Sequence, residues 1–474
     1  MSSLSVLVTL VLLSAWLGTA WWQVRKPLPR GLHLCGPWHE ARDPVLLLDE
    51  TWLDTAGRRQ CRQQIFDEWL ALIGQARRRV VIDIFQFGVL ADEACHRPIA
   101  SELCQTLLLR KAEVPALDVL VITDPINTCY GDQLPAHLAA LRQAGIQVVV
   151  TDLRPGRDPN PTWTALWRLA FQWFGTPPPR GGWLPNPLGP GRVTLRCYLS
   201  VLNLNANHRK VLVVDRGEEW LAVVGSANAD DGSSAYRDTA LRLRGPAVLD
   251  LLHSELAIAA FSGGSPLPTP SPPTSPFLGI PRLRVLTEGA IRDALLVLID
   301  QARDDECLDI NALYLAHRRV IRALCRAHAR GVTVRLLLDP NVSHFGRRSP
   351  GLPNRPVARE LHAAGLAIRW SAVPDIHAHS KVLLRHGGAR PAALLVGSAN
   401  YTRRSLDDYN FEAAVHLVAG HDHPVIRRAR ESFSRYWHNR DGERHSHPYT
   451  AFDDATRWRY WRYRLMEASG WCLF

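Results

Sequence analysis

The chain has 474 residues, 46% of them hydrophobic, and is therefore long enough to form two ordinary hydrophobic cores. Its formal net charge of +11 favours anionic partners such as nucleic acid or phospholipid headgroups, although an arginine-rich genome would give the same excess. The nine cysteines are an odd number without CxxC pairs or zinc-like spacing. They argue against a disulfide framework or structural zinc and favour a reducing compartment.

An uncharged apolar segment occupies residues 4–22 and is long enough to cross a bilayer as a helix. Its second half carries three tryptophans, which suit a membrane interface, and a basic cluster around Lys26 follows directly. Because basic flanks tend to stay in the cytoplasm, we predict a single-pass anchor over residues 1–30 in the inner (cell) membrane, with the main body on the cytoplasmic side. The alternative is a signal peptide cleaved near residues 18–20, although no basic residue precedes the apolar run.

Strands and helices are predicted to alternate in an order that occurs twice. The first copy has a strand at 79–85, a helix at 99–109, a strand at 118–125, a helix at 134–144 and a strand at 146–151. The second has a strand at 306–310, a helix at 320–329, a strand at 333–340, a helix at 357–364 and a strand at 367–370. This alternation predicts two α/β units whose sheets are covered by helices. Two tandem domains that never touch are the alternative, which is disfavoured because each copy holds half of a plausible catalytic set.

Proline-rich residues 263–281 separate the copies and mark a boundary, because their proline density prevents regular structure. We predict a first domain over 40–262, a second over 282–440 and an Arg/aromatic tail over 441–474. An insert at 160–195, found only in the first copy, has Trp and Phe at helical spacing opposite a basic and polar face. It is predicted to be an amphipathic helix, either at a membrane surface or packed on the protein core.

One short sequence motif, which we call the phrase, occurs twice and combines groups suited to phosphoryl chemistry. His208 and Lys210 alternate on one face of a predicted strand, and a Gly-Ser-Ala-Asn turn follows. His379 and Lys381 hold the same places in the second copy. The chain has four lysines and two of them occupy this position, so the phrase favours a compact ammonium over a guanidinium.

Two such half-sites facing each other would surround one phosphoryl group. Lysine, asparagine and backbone NH groups would stabilise the charge on its oxygens. One imidazole can attack phosphorus to form a phosphohistidine while the other protonates the leaving alkoxide. The predicted phosphate-binding residues are Lys210, Ser226, Asn228, Lys381, Ser398 and Asn400.

Two acids follow the asparagines and are predicted to orient the imidazoles: Asp238 in the first copy and Glu412 in the second. A solvated surface acid is the alternative for each. We predict that no metal and no cofactor takes part. His377, His379 and His386 could suggest a metal site, but the facing copy lacks an acid or thiol cluster of matching spacing.

The two phrases resemble the signature of the phospholipase D superfamily, His-x-Lys-x4-Asp with a downstream Gly-Ser-x-Asn. The match covers roughly residues 79–433 and is most specific at His208, Lys210, Asp215, Asn228, His379, Lys381, Asn400, Arg404, Ser405, Asn410 and Glu412. The resemblance implies two α/β/α domains related by a pseudo-twofold axis with one active site between them. It also implies a phosphohistidine intermediate, with His208 as nucleophile, His379 as general acid and Asp215 in the catalytic set. His386 departs from the signature, which expects Asp there, and the resemblance implies that this is a supporting position.

Members of this superfamily act on phospholipids or on nucleic acids, so the context must choose the substrate. The apolar anchor, the amphipathic insert and the basic body favour a membrane phospholipid, with water or an alcohol as acceptor. We therefore predict a membrane-anchored phosphodiesterase or phosphatidyltransferase, similar to phospholipase D or bacterial cardiolipin synthases. A membrane-tethered nuclease is the alternative, supported by the charge and the Arg/aromatic tail. A third reading, an inactive lipid-binding protein, is motivated only by His386.

Overall fold

The computed structural model describes residues 2–89, 96–174, 182–270, 276–344, 347–373, 375–454, 456–472 and 474. Residues 175–181 of the predicted insert and 271–275 of the predicted linker lie outside this description. The described chain forms two large β-sheets that face each other across a shared core, with helices on their outer sides.

The α-helices of the described residues include those predicted at 99–109, 134–144, 320–329 and 357–364, each within four residues of its expected bounds. Before the predicted linker they are α1 (Ser3–Arg25), α2 (Ile65–Gln75), α3 (Ile99–Glu113), α4 (Ala136–Gln143), α5 (Pro161–Leu166), α6 (Leu195–Val201) and α7 (Ala247–Phe261). After it they are α8 (Gly289–Asp300), α9 (Arg318–Ala329), α10 (Asn354–Ala363), α11 (Arg403–Leu406), α12 (Pro424–His438) and α13 (Arg457–Ser469).

The strands, like the helices, lie on both sides of the predicted linker. The first half contains β1 (His39–Glu40), β2 (Val45–Leu53), β3 (Arg59–Arg62), β4 (Arg79–Ile84), β5 (Phe87–Gly88), β6 (Asp118–Thr123), β7 (Gln147–Val150), β8 (Leu184–Pro185), β9 (Arg192–Val193), β10 (Lys210–Arg216), β11 (Glu219–Gly225), β12 (Ala229–Asp230) and β13 (Asp238–Arg244). The second contains β14 (Arg282–Thr287), β15 (Glu306–Ala312), β16 (Thr333–Leu338), β17 (Ser343–His344), β18 (Arg347–Arg348), β19 (Ala367–Ser371), β20 (Lys381–Gly387), β21 (Ala392–Gly397), β22 (Ala413–Ala419) and β23 (Ser446–Pro448).

The two large sheets share an order of seven strands. The first contains β2-β13-β11-β10-β4-β6-β7 and the second β14-β22-β21-β20-β15-β16-β19. In each sheet three parallel strands adjoin antiparallel ones. Lys210 lies opposite Ile84 and Lys381 opposite Ala312, which are equivalent positions in the two sheets. The predicted mixed α/β fold is therefore confirmed.

One hydrophobic cluster joins the inner faces of the sheets. It combines Val211 and Val224 of the first sheet with Val396 and Val415 of the second. Two further clusters fill the spaces between the sheets and the outer helices. Burial of β-branched side chains on both faces of the central strands explains their near-continuous apolar sequence.

Helix α1 is long and apolar enough to cross a membrane, with a mean hydropathy of 1.9 in its best window, and none of its residues is buried. The predicted amphipathic insert is helical over α5 and one further turn, Trp167–Phe171. Trp167 is buried, whereas Trp173 and Phe174 just beyond are strongly exposed. The apolar residues of the insert are thus divided between protein contacts and the surface.

Candidate active site

Backbone contacts between the two halves of the chain bring the repeated phrases together. The backbone NH of His208 donates to the carbonyl of Phe411 at 2.9 Å. In the other direction, the NH of Arg237 donates to the carbonyl of His377 at 3.0 Å. An acidic residue follows both Phe411 and Arg237 in the sequence. Each contact therefore places a carboxylate from one half beside an imidazole from the other.

The resulting imidazole–carboxylate pairs are crossed between the halves. His208 Nδ1 lies 3.0 Å from the carboxylate of Glu412. His379 Nδ1 lies 2.8 Å from Oδ1 of Asp238. All four side chains are buried. Because Nδ1 donates its proton to the carboxylate in each pair, Nε2 carries a lone pair that can attack or accept a proton.

The serines of the two Gly-Ser-Ala-Asn turns support these carboxylates. Ser226 Oγ donates to Asp238 at 2.5 Å, and Ser398 Oγ donates to Glu412. The structure thus places the two hydroxyls, predicted to bind phosphate, behind the carboxylates. At Gly225 and Gly397 a Cβ atom would overlap atoms of the neighbouring strand, so only glycine lets the strands approach here.

The pKa values of the four groups fit these roles. Burial lowers the pKa of His208 to about 3 and that of His379 to about 4, although the carboxylates act in the opposite direction. Burial would raise the pKa of Asp238 and Glu412, but the facing histidines and nearby lysines hold both below the ordinary value. At neutral pH the site therefore holds neutral imidazoles beside ionised carboxylates.

The two lysines point back toward the histidines of their own phrases. Lys210 Nζ donates to the His208 carbonyl at 2.6 Å, and Lys381 Nζ donates to that of His379. Burial lowers the pKa of Lys210 to about 7 and that of Lys381 well below its ordinary value. A bound phosphoryl group would add negative charge and raise both pKa values, so substrate and protons would bind together.

The asparagines complete the set of polar groups. Among the described residues, the Oδ1 atoms of Asn228 and Asn400 are buried without a hydrogen-bond partner, whereas Asn228 Nδ2 donates to Gln86 at 3.0 Å. A rotation of the amide exchanges oxygen and nitrogen, so each asparagine can turn NH donors toward an anion. The arrangement can bind a phosphoryl group between two imidazoles.

Asp215 and His386 lie at the far ends of β10 and β20, away from the imidazoles. Asp215 accepts hydrogen bonds from the backbone NH groups of Arg78 and Arg79, at 2.8 and 2.6 Å. His386 Nε2 instead lies 2.9 Å from a carboxylate oxygen of Asp309. At both equivalent positions the side chain therefore hydrogen-bonds the adjacent strand. Asp215 bonds backbone NH groups at the start of β4, whereas His386 bonds a side chain of β15.

Within the described residues, one group has the geometry of a possible metal site. Ligand atoms of Cys307, Asp309 and His386 lie within 4.8 Å of one another. Arg335, however, already forms two hydrogen bonds of 2.7 Å to the Asp309 carboxylate. The carboxylate thus has a cationic partner and an imidazole partner, and the network is complete without an ion.

Two acids that follow strands were not among the predicted site residues, although the sequence repeats Asp-Pro at both. Asp124 accepts a hydrogen bond from the NH of Asn207 at 2.7 Å, one residue before His208. Asp339 accepts one from the NH of Ala378 at 2.9 Å, one residue before His379. The repeated Asp-Pro was the signal for these backbone anchors.

Sequence reasoning also missed an asymmetry around His379. His377 Nδ1 lies 3.3 Å from Asp339, which raises the pKa of His377 although burial acts to lower it. The Tyr236 ring stands 4.9 Å from the His377 ring and 5.8 Å from that of His379. In the first copy Ala206 holds the place of His377, so only the second phrase has this additional imidazole.

A buried ion network supports the His208 side. Arg209 is fully buried and bonds Glu255 at 3.0 Å and Glu288 at 2.6 Å, from different halves of the chain. Glu288 also accepts the backbone NH of Glu412 at 3.2 Å. Arg209 therefore helps to fix the carboxylate that holds His208. Arg209 was not among the site residues predicted from the sequence.

Comparison with known proteins confirms the resemblance to the phospholipase D superfamily. Residues 295–437 match the family model described as cardiolipin synthase, PLD-like domain, and include His379, Lys381, Asn400 and Glu412. The first phrase lies outside this match. A comparison with curated proteins gave no significant match. Residues 295–437 are therefore similar to a phospholipase D-like domain.

Three solved structures are similar to this chain, and one of them has a TM-score above 0.5. Phosphatidylserine synthase from Haemophilus influenzae Rd KW20 gives a TM-score of 0.53 at 12% identity, over 92% of this chain and 94% of that one. Polyphosphate kinase from Porphyromonas gingivalis gives 0.48 at 13% identity, over 91% and 53%. The phospholipase D family member Nuc from Salmonella typhimurium gives 0.25 at 22% identity, over 34% and 97%. The first of these establishes a shared fold and, at 12% identity, no shared reaction.

Proposed function

We propose that the protein is a membrane-anchored enzyme of the phospholipase D superfamily that transfers a phosphatidyl group of a phospholipid through a phosphohistidine. The observation that carries this proposal is the crossed pairing of His208 with Glu412 and of His379 with Asp238. This pairing leaves a lone pair on Nε2 of His208 and another on Nε2 of His379, on either side of a pocket that contains two lysines. The family description as cardiolipin synthase supports a phospholipid substrate.

In the first step Nε2 of His208 attacks phosphorus. The bond between phosphorus and the headgroup oxygen breaks, and Nε2 of His379 gives a proton to the leaving alkoxide. Binding of the anionic phosphodiester raises the pKa of His379 so that it holds this proton. Lys210 and Lys381, with Asn228 and Asn400, stabilise the charge on the non-bridging oxygens.

In the second step water or an alcohol gives its proton to His379 and attacks phosphorus, and the bond to His208 breaks. Water yields phosphatidic acid, and a glycerol-type alcohol yields a transferred phosphatidyl group. Glu412 and Asp238 are positioning residues, which hold the tautomers and offset the positive charge that develops on the rings. We assign Ser226, Ser398 and Asp215 supporting roles behind these groups.

We also propose two phospholipase D-like domains over residues 40–262 and 282–440, related by a pseudo-twofold axis, with 263–281 as linker. The shared strand order and the crossed contacts support this division. The basic residues after α1 favour a single-pass inner-membrane protein with its active site in the cytoplasm.

The test is to reconstitute the full chain in phosphatidylglycerol nanodiscs with a primary alcohol and to read lipid products by mass spectrometry. We expect phosphatidyl-alcohol, cardiolipin or phosphatidic acid from the intact protein and none from His208→Ala. His438→Ala, at an exposed histidine near the end of α12, is the matched control and should retain activity. Degradation of single-stranded DNA without lipid turnover would identify the alternative, a tethered nuclease.

A further inference from the structure

Helix α13 has two distinct faces. Its inner face packs on the protein through Tyr463, whose hydroxyl accepts a hydrogen bond from Arg318 at 3.0 Å, and through the buried Glu467. Its outer face carries Trp458, Trp461 and Leu465, which are 71%, 65% and 70% exposed. These three follow helical spacing and form an apolar stripe. Nothing in the described residues covers this stripe.

The stripe is connected to the proposed anchor through Thr162 of α5. The indole NH of Trp16 in α1 donates to the Thr162 carbonyl at 3.0 Å. The indole NH of Trp471, which follows α13, donates to the Thr162 hydroxyl at 2.9 Å. One residue therefore holds both the anchor helix and the segment that ends α13.

The anchor is also fixed to the body at its root, so it is not a flexible tether. The NH of Asp158 donates to the Gln23 carbonyl at 3.2 Å, and Lys26 Nζ donates to the Arg154 carbonyl at 2.6 Å. A helix fixed in this way gives the body one orientation against the bilayer. Surfaces adjacent to the root of α1 must then lie at the level of the headgroups.

We propose that α13 is a second membrane contact, which lies in the interface of the same acidic phospholipid bilayer that α1 spans. Trp458, Trp461 and Leu465 enter the boundary between headgroups and acyl chains, where tryptophan is favoured. Arg457 and Arg462, both exposed, border the stripe and pair with anionic headgroups. The exposed Trp173 and Phe174 beyond α5 extend the same contact.

The C-terminal end of α13 contacts the segment that follows Asn400 of the candidate active site. Arg403 Nη1 donates to the Ala468 carbonyl at 3.0 Å, and Arg404 Nη1 donates to the Cys472 carbonyl at 3.2 Å. Both arginines follow Asn400 within four residues. We infer that the enzyme takes its phospholipid from the membrane in which it is anchored, an inference that rests on the proposed function.

The test places a photo-crosslinking benzoylphenylalanine in the full chain, one position at a time, and reconstitutes each variant in phosphatidylglycerol nanodiscs. Trp461→benzoylphenylalanine is the probe. Leu109, a 65% exposed residue of α3, is the matched control, and Leu10 of α1 is the positive control. After illumination, we expect phospholipid adducts at positions 461 and 10 and none at 109.

Adducts at position 10 without adducts at 461 would overturn the proposal, as would equal adducts at 461 and 109. Crosslinks from 461 to nucleic acid in cells, in place of lipid, would also overturn it. Crosslinking needs no turnover. A lipid adduct at 461 in a protein without lipid activity would therefore contradict only the proposed function, and lipid activity without the adduct would contradict only the membrane contact.

A kinetic experiment tests whether the membrane contact of α13 helps phospholipid to reach the active site from the bilayer. Replacing Trp458, Trp461 and Leu465 together by serine should lower turnover of bilayer phospholipid by about tenfold relative to turnover of a monomeric short-chain phospholipid. Leu109→Ser should leave this ratio unchanged. An unchanged ratio in the triple variant would contradict the inference that lipid enters from the anchored membrane.

Discussion

His208 Nδ1 lies 3.0 Å from the carboxylate of Glu412, although 204 positions separate the two residues in the chain. The reciprocal pair, His379 and Asp238, is formed across 141 positions. Neither half of the chain can therefore orient its own histidine. The crossing makes the candidate active site a property of the assembled pair of sheets.

Replacing Glu412 by glutamine should lower kcat by roughly 100- to 10,000-fold. The amide NH2 would donate to Nδ1 of His208 and force the ring proton onto Nε2, which removes the attacking lone pair. Lipid turnover measures the loss. Circular dichroism and thermal unfolding should show a folded protein, and a variant with near-normal kcat would contradict the positioning role.

Replacing Asp238 by asparagine should give a loss that depends on the leaving group. His379 must donate a proton to a poor leaving group, whereas p-nitrophenolate leaves without one. We expect a large loss of kcat/KM, which reports the first step, with an alcohol headgroup and a much smaller loss of kcat/KM with a p-nitrophenyl ester. Glu412→Gln is the matched comparison, and its loss should be equally large with the p-nitrophenyl ester, because His208 must attack phosphorus with either leaving group. Equal losses with both substrates would contradict the assignment of His379 as general acid.

The pocket lysines predict an alkaline decline in activity. Lys210 has a lowered pKa of about 7, so the free enzyme loses this positive charge as the pH rises through that value. The kcat/KM value should fall in the same range, because the phosphoryl oxygens then lack a cationic partner. In Lys210→Arg the guanidinium stays protonated, so the apparent pKa of the decline should shift even if the maximal rate is lower, because Lys381 is then the pocket lysine that still titrates. An unchanged pH profile would argue against this role for Lys210.

His386 is predicted to contribute to stability and not to the chemistry. His386→Ala would remove a hydrogen bond from the buried carboxylate of Asp309 and should lower the free energy of unfolding by about 1–3 kcal/mol. The measurement is denaturant unfolding, with His438→Ala as control. Lipid turnover per folded molecule should be unchanged. A loss of turnover without a loss of stability would give His386 a role in the reaction.

Much of the site could be predicted from the sequence because its groups recur at fixed spacing. The alternation of His208 with Lys210 in a strand, and the Gly-Ser-Ala-Asn turn, are local features with a local cause. The crossing of the carboxylates was not predictable, since it depends on how two sheets meet. The sequence proposed Asp238 and Glu412 as orienting acids but could not say which imidazole each one holds.

The other differences between the sequence predictions and the structure also arise from tertiary contacts. The hydroxyls of Ser226 and Ser398 were expected at the phosphate, and the structure places them behind the carboxylates. His377 gains its functional environment only because Asp339 and Tyr236 arrive from other elements. The helical insert was predicted from its spacing, but its contact with α1 through Thr162 has no sequence signal.

The most direct test of the account is to trap the covalent intermediate in the full-length His379→Ala variant with a phosphatidyl p-nitrophenyl ester. This variant lacks the base for the second step, whereas the leaving group needs no acid for the first. We predict a burst of one p-nitrophenolate per active site and a phosphatidyl adduct, found by mass spectrometry, on the peptide that contains His208. Turnover without any adduct, or an adduct on another residue, would contradict His208 as the nucleophile.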